Sequence, residues 1–571
     1  MGSSIFRMFR GKGQQDPLDD PKHAHAFLAA LPSNDPLGHL EAVVALLEDR
    51  GAAMTMMSPA RLQALLVLDR GSLAAQAAVL LQYRAPNISD EARRRLWHAS
   101  NDFARWFAHA YERASAAYFS ATEGKSSKAG AASSPIPLHG IYSRMFHYRG
   151  AQAKLGLFRH ESWIPGSWKV LHDAYGQAIA KTDPGEPFSF DDPGTSSRST
   201  GESVSAEQEL IEILLLQRVN SGNLSIEEVE CAANWLTTWA QRLKLEKAPP
   251  SGDGFWLDLN RSEGLLADRP PAAPDGLLYL DVGPLHQQLS ATIGRLSAQL
   301  GQPGGAPGTP ELRAASEQLK LARRLDPLWR PNAEHRPRRG ERRPEKGTVT
   351  VAAGWSAIAV ALPPPPPSTV GGHDSSHGYT HEDITNIAIY GQARNLAGDR
   401  FGSTIQKNPD RHEWQMHDAS DSGVRIMSST REAQKQQIGA LLALRVEPDP
   451  RWQVGVVRRL RRRTSEHTEL GVEVIARQVQ LMLVTRGGPR DSGFSGDTIS
   501  GAGQSFTVLD LRPSVSGKPP IRSMIMQAIE YTPGRHLTID VNGVAKDIRL
   551  FAPLEQTREW VWTAYELVSR N

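Results

Sequence analysis

The chain predicts a multidomain α+β protein: helical amino-terminal and middle regions, then an antiparallel β-barrel and a second β-rich unit. Two patterns carry this. Apolar and aromatic residues recur at helical spacing through the first half. From Val424 onward, short strand-like runs alternate with polar turns and no long helix intervenes. With 571 residues there is chain enough for several cores.

Taken in order, residues 1–22 are expected to be a flexible terminus and 23–181 a helical domain. Ser58-Pro59 supplies a cap and a first-turn proline, and Leu62, Leu65, Leu66 and Leu68 give that helix its apolar side. Leu96, Phe103, Trp106, Phe107, Ala110 and Tyr111 form a second stripe, which marks core rather than a ligand box. Further helices are expected over Tyr142 to Leu155 and Trp168 to Ile179. Residues 182–205, rich in Asp, Pro, Gly, Ser and Thr, are expected to be a linker.

A mainly helical middle domain is expected over 206–331. Ser225 and Glu228 have capping-box spacing, and Val229, Ala232, Leu236, Trp239 and Leu243 mark the buried face behind them. Phe255 to Leu259 and Leu277 to Leu280 are strand candidates; Leu285 to Leu300 and Pro310 to Leu325 are helices.

The barrel is expected over 332–486, interrupted by an insertion near 363–410. Pro363 to Pro367 forces extended chain, and a helix is expected from His381 to Asn395. Trp355 to Leu362 fits either a strand extension or a short helix. Strands follow over Val424 to Met427, Ile438 to Val446, Trp452 to Leu460, Leu470 to Val474 and Gln478 to Val484. A β-rich unit is expected over 487–571, with strands over Ser505 to Leu511 and Arg522 to Tyr531 and a hairpin around Asn542-Gly543. A closing helix is expected over Thr557 to Val568.

Composition narrows the function. Against 65 Lys and Arg stand 62 Asp and Glu, so the whole chain is no polyanion binder and any anion site is local. A single cysteine, Cys231, excludes an intrachain disulfide framework and fits a reducing, cytoplasmic setting. No transmembrane segment and no secretory leader is expected. The chain carries no phosphate loop, dinucleotide fingerprint, Gly-x-Ser-x-Gly or His-Glu-x-x-His, so neither an enzyme nor a cofactor is expected. His373, His377 and His381 recur every four residues, but the glycines and serines among them indicate a loop, and no metal site is assigned. The run Arg458, Arg459, Arg461, Arg462 and Arg463 is a solvated strand end or a local anion patch. Near-neutral charge argues against nucleic acid as its partner.

Two short motifs stand out. Asp418-Ala419-Ser420-Asp421-Ser422-Gly423 follows the polar run Arg411 to His417 and opens the strand Val424 to Met427. Acid, hydroxyl and glycine there make a turn. Upstream, Arg338-Arg339-Gly340-Glu341-Arg342-Arg343 holds two overlapping Arg-x-x-x-Arg pairs ahead of the strand-like Gly347 to Val351. Guanidinium forks suit phosphate oxygens and the acceptor edge of guanine; a carboxylate and a hydroxyl suit its donor edge.

This pair resembles the PilZ family of cyclic di-GMP receptors, whose pattern is Arg-x-x-x-Arg and then Asp or Asn-x-Ser-x-x-Gly on a small antiparallel barrel. Arg338 and Arg342, or Arg339 and Arg343, match the first part; Asp418, Ser420 and Gly423 match the second. The resemblance implies a PilZ-like barrel and a non-enzymatic receptor in which nucleotide binding rearranges adjacent domains. It implies that the arginines hold phosphate and guanine, Asp418 and Ser420 fix a guanine edge, and Gly423 lets the bend approach closely. An unidentified protein partner would receive the signal. One departure is the separation of 76 positions from Arg342 to Asp418, which requires an insertion that leaves the barrel and returns. The alternative is a degenerate PilZ-like scaffold that binds proteins and no nucleotide.

Overall fold

The computed structural model describes residues 16–50, 58–85, 88–123, 136–161, 166–189, 203–219, 222–267, 270, 276–301, 309–331, 347–362, 411–420, 422–429, 433, 435–462, 467–486, 505–512, 522–541 and 544–568. Packing divides the chain into two compact units, Met1–Pro337 and Arg338–Asn571.

The first unit is helical: α1 (Pro21–Ala29), α2 (Pro36–Arg50), α3 (Pro59–Tyr83), α4 (Asp90–Glu123), α5 (Leu138–Phe158), α6 (Ser167–Lys181), α7 (Ala206–Arg218), α8 (Ile226–Trp239), α9 (Gly283–Leu300) and α10 (Pro310–Leu325). Their starts are written locally. Ser58 Oγ accepts from Arg61 N at 3.2 Å, and Ser225 with Glu228 forms a reciprocal capping box. Ser205 and Gln208 form a second box, which the sequence reading did not pick out. A small antiparallel sheet in the order β1 (Leu245–Glu246), β3 (Leu277–Asp281), β2 (Gly254–Asp258) completes the unit.

One apolar core runs from Leu18 to Trp329 and draws helices from both sides of the 182–205 segment. The ends of that segment are tied: Phe188 N donates to Val204 O and Val204 N to Phe188 O, both at 3.1 Å. The aromatic stripe is core as expected, with Phe103, Phe107 and Tyr111 buried against Tyr148 of α5.

By length and composition alone α3 is apolar enough to cross a membrane, which the sequence reading missed. Here it carries Asp69, fully buried and held on every side. Arg144 Nη2 lies 2.9 Å from Asp69 Oδ1 and Arg144 Nε 3.1 Å from Oδ2. The Tyr111 hydroxyl donates to Oδ2 at 2.5 Å, and that of Tyr148 donates to Oδ1. A buried carboxylate survives only with such partners. Burial opposes the Arg144 charge, but Asp69 and the two tyrosines more than offset it and keep the guanidinium charged.

The second unit holds two closed antiparallel barrels of six strands each. In the first the order is β4 (Gly347–Ala353), β5 (Arg411–Ser420), β6 (Gly423–Ser428), β9 (Thr468–Ala476), β8 (Gln453–Arg462), β7 (Leu441–Val446), with β4 pairing both β5 and β7. In the second it is β10 (Gln478–Arg486), β11 (Ser505–Arg512), β12 (Ser523–Gln527), β15 (Trp560–Val568), β14 (Val544–Gln556), β13 (His536–Val541). The hairpin expected around Asn542-Gly543 is present as β13–β14, in register from Val541 opposite Val544. Trp355–Ala361 is a short helix, α11, turned out of β4 at Gly354, whose φ of +82° suits glycine. With Ile358 and Ala359 it lies in an apolar cluster shared by the two barrels, alongside Leu509, Leu511, Ile525 and Trp560.

The polar run Arg411 to His417, to which the sequence assigned no element, is a strand: Trp414 and Met416 are buried in the first barrel core while Glu413 and Gln415 alternate with them on the solvent side. Two expectations are corrected. Gln478 to Val484, grouped by sequence with the first barrel, is the opening strand of the second, because the single residue Arg477 separates it from β9. The closing segment Thr557 to Val568 is a turn followed by strand β15 (Trp560–Val568) rather than a helix. Thr557 Oγ1 does accept from Trp560 N at 3.0 Å, as a helix cap would. But Thr557 N also donates to Trp560 O at 2.9 Å, which closes a hairpin with β14.

Candidate functional site

The β5–β6 hairpin of the first barrel carries the Asp-x-Ser-x-x-Gly motif. Asp418, Ala419 and Ser420 stay in the strand, so the bend is shorter than the sequence indicates. Register explains how Asp418 comes to face outward. Met416 pairs with Ile426, both buried in the barrel core. Strict alternation would turn Asp418 inward after Met416. A one-residue irregularity at His417 intervenes, and Asp418 instead pairs with Arg425, between the inward Val424 and Ile426. Ala419 then falls opposite Val424 and Ser420 opposite Gly423.

Around that bulge the polar groups are tightly engaged. Arg425 Nε lies 2.7 Å from Asp418 Oδ2, and Arg425 Nη1 lies 3.6 Å from Glu469 Oε1 on β9. Asp418 is only 8 % exposed. The Ser420 hydroxyl donates to the Gly423 carbonyl at 3.2 Å and braces the bend. Gly423 has a structural duty of its own: a Cβ there would sit 2.6 Å from the Val472 carbonyl oxygen. The absent side chain thus lets β9 close onto β6.

Of the residues the sequence singled out, Asp418, Ser420 and Gly423 come together at this hairpin. Arg338, Arg339, Arg342 and Arg343 lie outside the described residues, as do the expected 363–410 insertion and His373, His377 and His381. Sequence reasoning missed Arg425 and Glu469. The signal for Arg425 was available, since two places beyond Gly423 in an alternating strand it must share that residue's face. Glu469 required the β6–β9 pairing, in which Arg425 lies opposite Gly471 and Met427 opposite Glu469.

Within the basic run, Arg458 is engaged: its Nε lies 2.7 Å from Glu473 Oε2, and its Nη2 lies 2.6 Å from Oε2 of Glu555 in the second barrel. Burial opposes its charge, but the Glu555 and Glu473 carboxylates hold the guanidinium firmly ionised. Glu473 pairs in register with Gly423, so this fork begins beside the candidate site. Arg463 lies outside the described residues. Cys231 is half-buried on α8, and burial pushes its thiol up to about 11, which suits packing rather than nucleophilic chemistry. Among the described residues no cluster of three or more His, Cys, Asp or Glu side chains is placed to hold a metal ion.

A closed antiparallel barrel bearing an Asp-x-Ser-x-x-Gly bend on an outward-facing hairpin defines a PilZ domain. Comparison with known families agrees. The model described as "Cyclic-di-GMP receptor FimW, N-terminal domain" matches residues 22–251, and "Cyclic-di-GMP receptor FimW, middle PilZ domain" matches residues 373–480. The chain belongs to this family of cyclic di-GMP receptors. The second match takes in Asp418, Ser420 and Gly423, whereas the arginine segment 338–343 falls between the two. No curated protein and no solved structure matches the chain.

Proposed function

We propose that this chain is a non-enzymatic receptor that binds cyclic di-GMP on the outer face of the β5–β6 hairpin. The observation that carries the reading is the bulge at His417, which brings Asp418 onto the face shared by Ser420, Gly423 and Arg425. A carboxylate accepts from the ring N–H and amino group of guanine, and guanidinium forks take phosphate oxygens. Arg338 and Arg342, or Arg339 and Arg343, supply the forks from the arm that opens the second unit.

Sequence position supports coupling: the arginine segment 338–343 lies at the boundary between the two compact units, Pro337/Arg338, so a ligand held by it would act on the stretch that joins them. A second route leads from Glu473, opposite Gly423, through Arg458 to Glu555 of the second barrel. The receptor acts in the cytoplasm, in keeping with its lone cysteine, and passes the signal to a protein partner.

Calorimetric titration of the full chain with cyclic di-GMP at near-physiological salt tests this. Heat is expected from the wild type and loss of it from Arg342→Ala and Asp418→Ala; a silent wild type refutes it. The competing reading, a scaffold without ligand, draws on the Arg425 guanidinium already seated on Asp418. Capture of a protein partner by nucleotide-silent chain would establish that alternative.

A further inference from the structure

Resting on the nucleotide site just proposed, a regulatory layer is visible in the ion pairs beside it. Arg425 is shared: its Nε faces Asp418 at 2.7 Å and its Nη1 faces Glu469 at 3.6 Å. The arginine side chain keeps 35 % of its surface exposed while both carboxylates are largely covered, so it is the member with freedom to move. Its register partner on β9 is Gly471, which brings no side chain to block a swing. An anionic ligand arriving at Asp418 meets the Asp418 and Glu469 carboxylates with the Arg425 guanidinium set between them, and Arg459 and Arg461 of β8 lie in register opposite Gly471 and Glu469. Its phosphate gains a fork from Arg425 when Arg425 leaves one of those carboxylates.

We infer that Glu469 acts as an electrostatic brake on the site: it holds Arg425 back, and Arg425 turns to a ligand phosphate when cyclic di-GMP docks. Arg425 is thus a cation supplied by the barrel itself, additional to the arm, and Glu469 sets the affinity through it. The pairing with Asp418 also keeps the guanine-recognising carboxylate oriented before ligand arrives.

A double-mutant cycle on the full chain, titrated calorimetrically with cyclic di-GMP, tests this. Glu469→Gln is expected to tighten binding by roughly fivefold, the reach of a partly exposed charge pair. Arg425→Gln is expected to weaken it by roughly tenfold, as loss of a charge-assisted phosphate contact does. In the Arg425→Gln background, Glu469→Gln should change affinity by less than about twofold, because the brake has nothing left to hold. Should Arg425→Gln fail to fold, Arg425→Lys replaces it in the cycle, and the gain from Glu469→Gln should again shrink. Merely structural roles would not produce a tighter-binding variant. Unchanged affinity in Glu469→Gln, or a gain that persists without Arg425, overturns the inference while leaving the receptor reading intact. A wild type that gives no heat refutes the receptor reading, and the brake falls with it.

Discussion

Replacing Gly423 by alanine separates what the motif does for the barrel from what it does for a ligand. A Cβ at Gly423 would sit 2.6 Å from the Val472 carbonyl oxygen, about 0.4 Å inside the 3.0 Å below which real Cβ atoms are essentially never found. The obstructing atom is backbone in β9, locked in the ladder that pairs β9 with both β6 and β8, so no side chain can swing aside. Relief requires β6 and β9 to part, and overpacking of this kind costs about 1–3 kcal/mol. Gly347→Ala is the matched control: its Cβ would meet only Met416 Cε at 3.5 Å, ordinary contact. Hydrogen exchange read on peptides covering β5–β6 and β9 reports the local opening energy. Faster exchange there in Gly423→Ala, with Gly347→Ala unchanged, is the expected result. Equal exchange in the two variants would refute the close-approach account of this glycine.

Three further outcomes follow from the packing. Arg458→Ala removes the fork that ties the first barrel to Glu555, a partly exposed contact worth about 1 kcal/mol; limited proteolysis should cut between β9 and β10 faster, and unchanged cutting would count against it. Asp69→Ala leaves Arg144 buried without its carboxylate and should cost the first unit about 3–5 kcal/mol in urea denaturation, whereas a loss under about 1 kcal/mol would contradict the network. His172 is pushed below the ordinary histidine value of 6.5 by burial. The unfolded chain therefore takes up its proton first, and this stabilisation is present above 6.5 and lost as pH falls below it. The melting temperature of the wild type should drop more steeply than that of His172→Gln from about pH 7.5 to about pH 5.5, and parallel curves would contradict this assignment.

Local signals in the sequence survived into the fold. The Ser225–Glu228 box, the Ser58 cap and the Asn542-Gly543 hairpin depend on neighbours within a few residues, and each element appears where those neighbours put it. What sequence periodicity could not supply was register and long-range pairing. Nothing in Arg411 to His417 announces that His417 is the place where the ladder slips, yet that slip decides which way Asp418 faces. At Thr557 local chemistry could not decide the element, because a hydroxyl accepting from the third residue on serves a helix cap and a hairpin turn alike. The partners of Arg144 and Arg458 lie 75 and 97 residues away, beyond any motif. The site was legible as a motif, and its electrostatics only as a sheet, since Glu469 reaches Arg425 across two strands.

The central claim is that the arginine arm and the Asp418 bend meet on one ligand. Photo-crosslinking with an azido analogue of cyclic di-GMP, followed by peptide mapping of the full chain, tests it most directly. Labels on peptides containing both 338–343 and 418–425, competed away by unmodified nucleotide and lost in Asp418→Ala, are the predicted result. Labelling confined to other segments, or undiminished in Asp418→Ala, would contradict it.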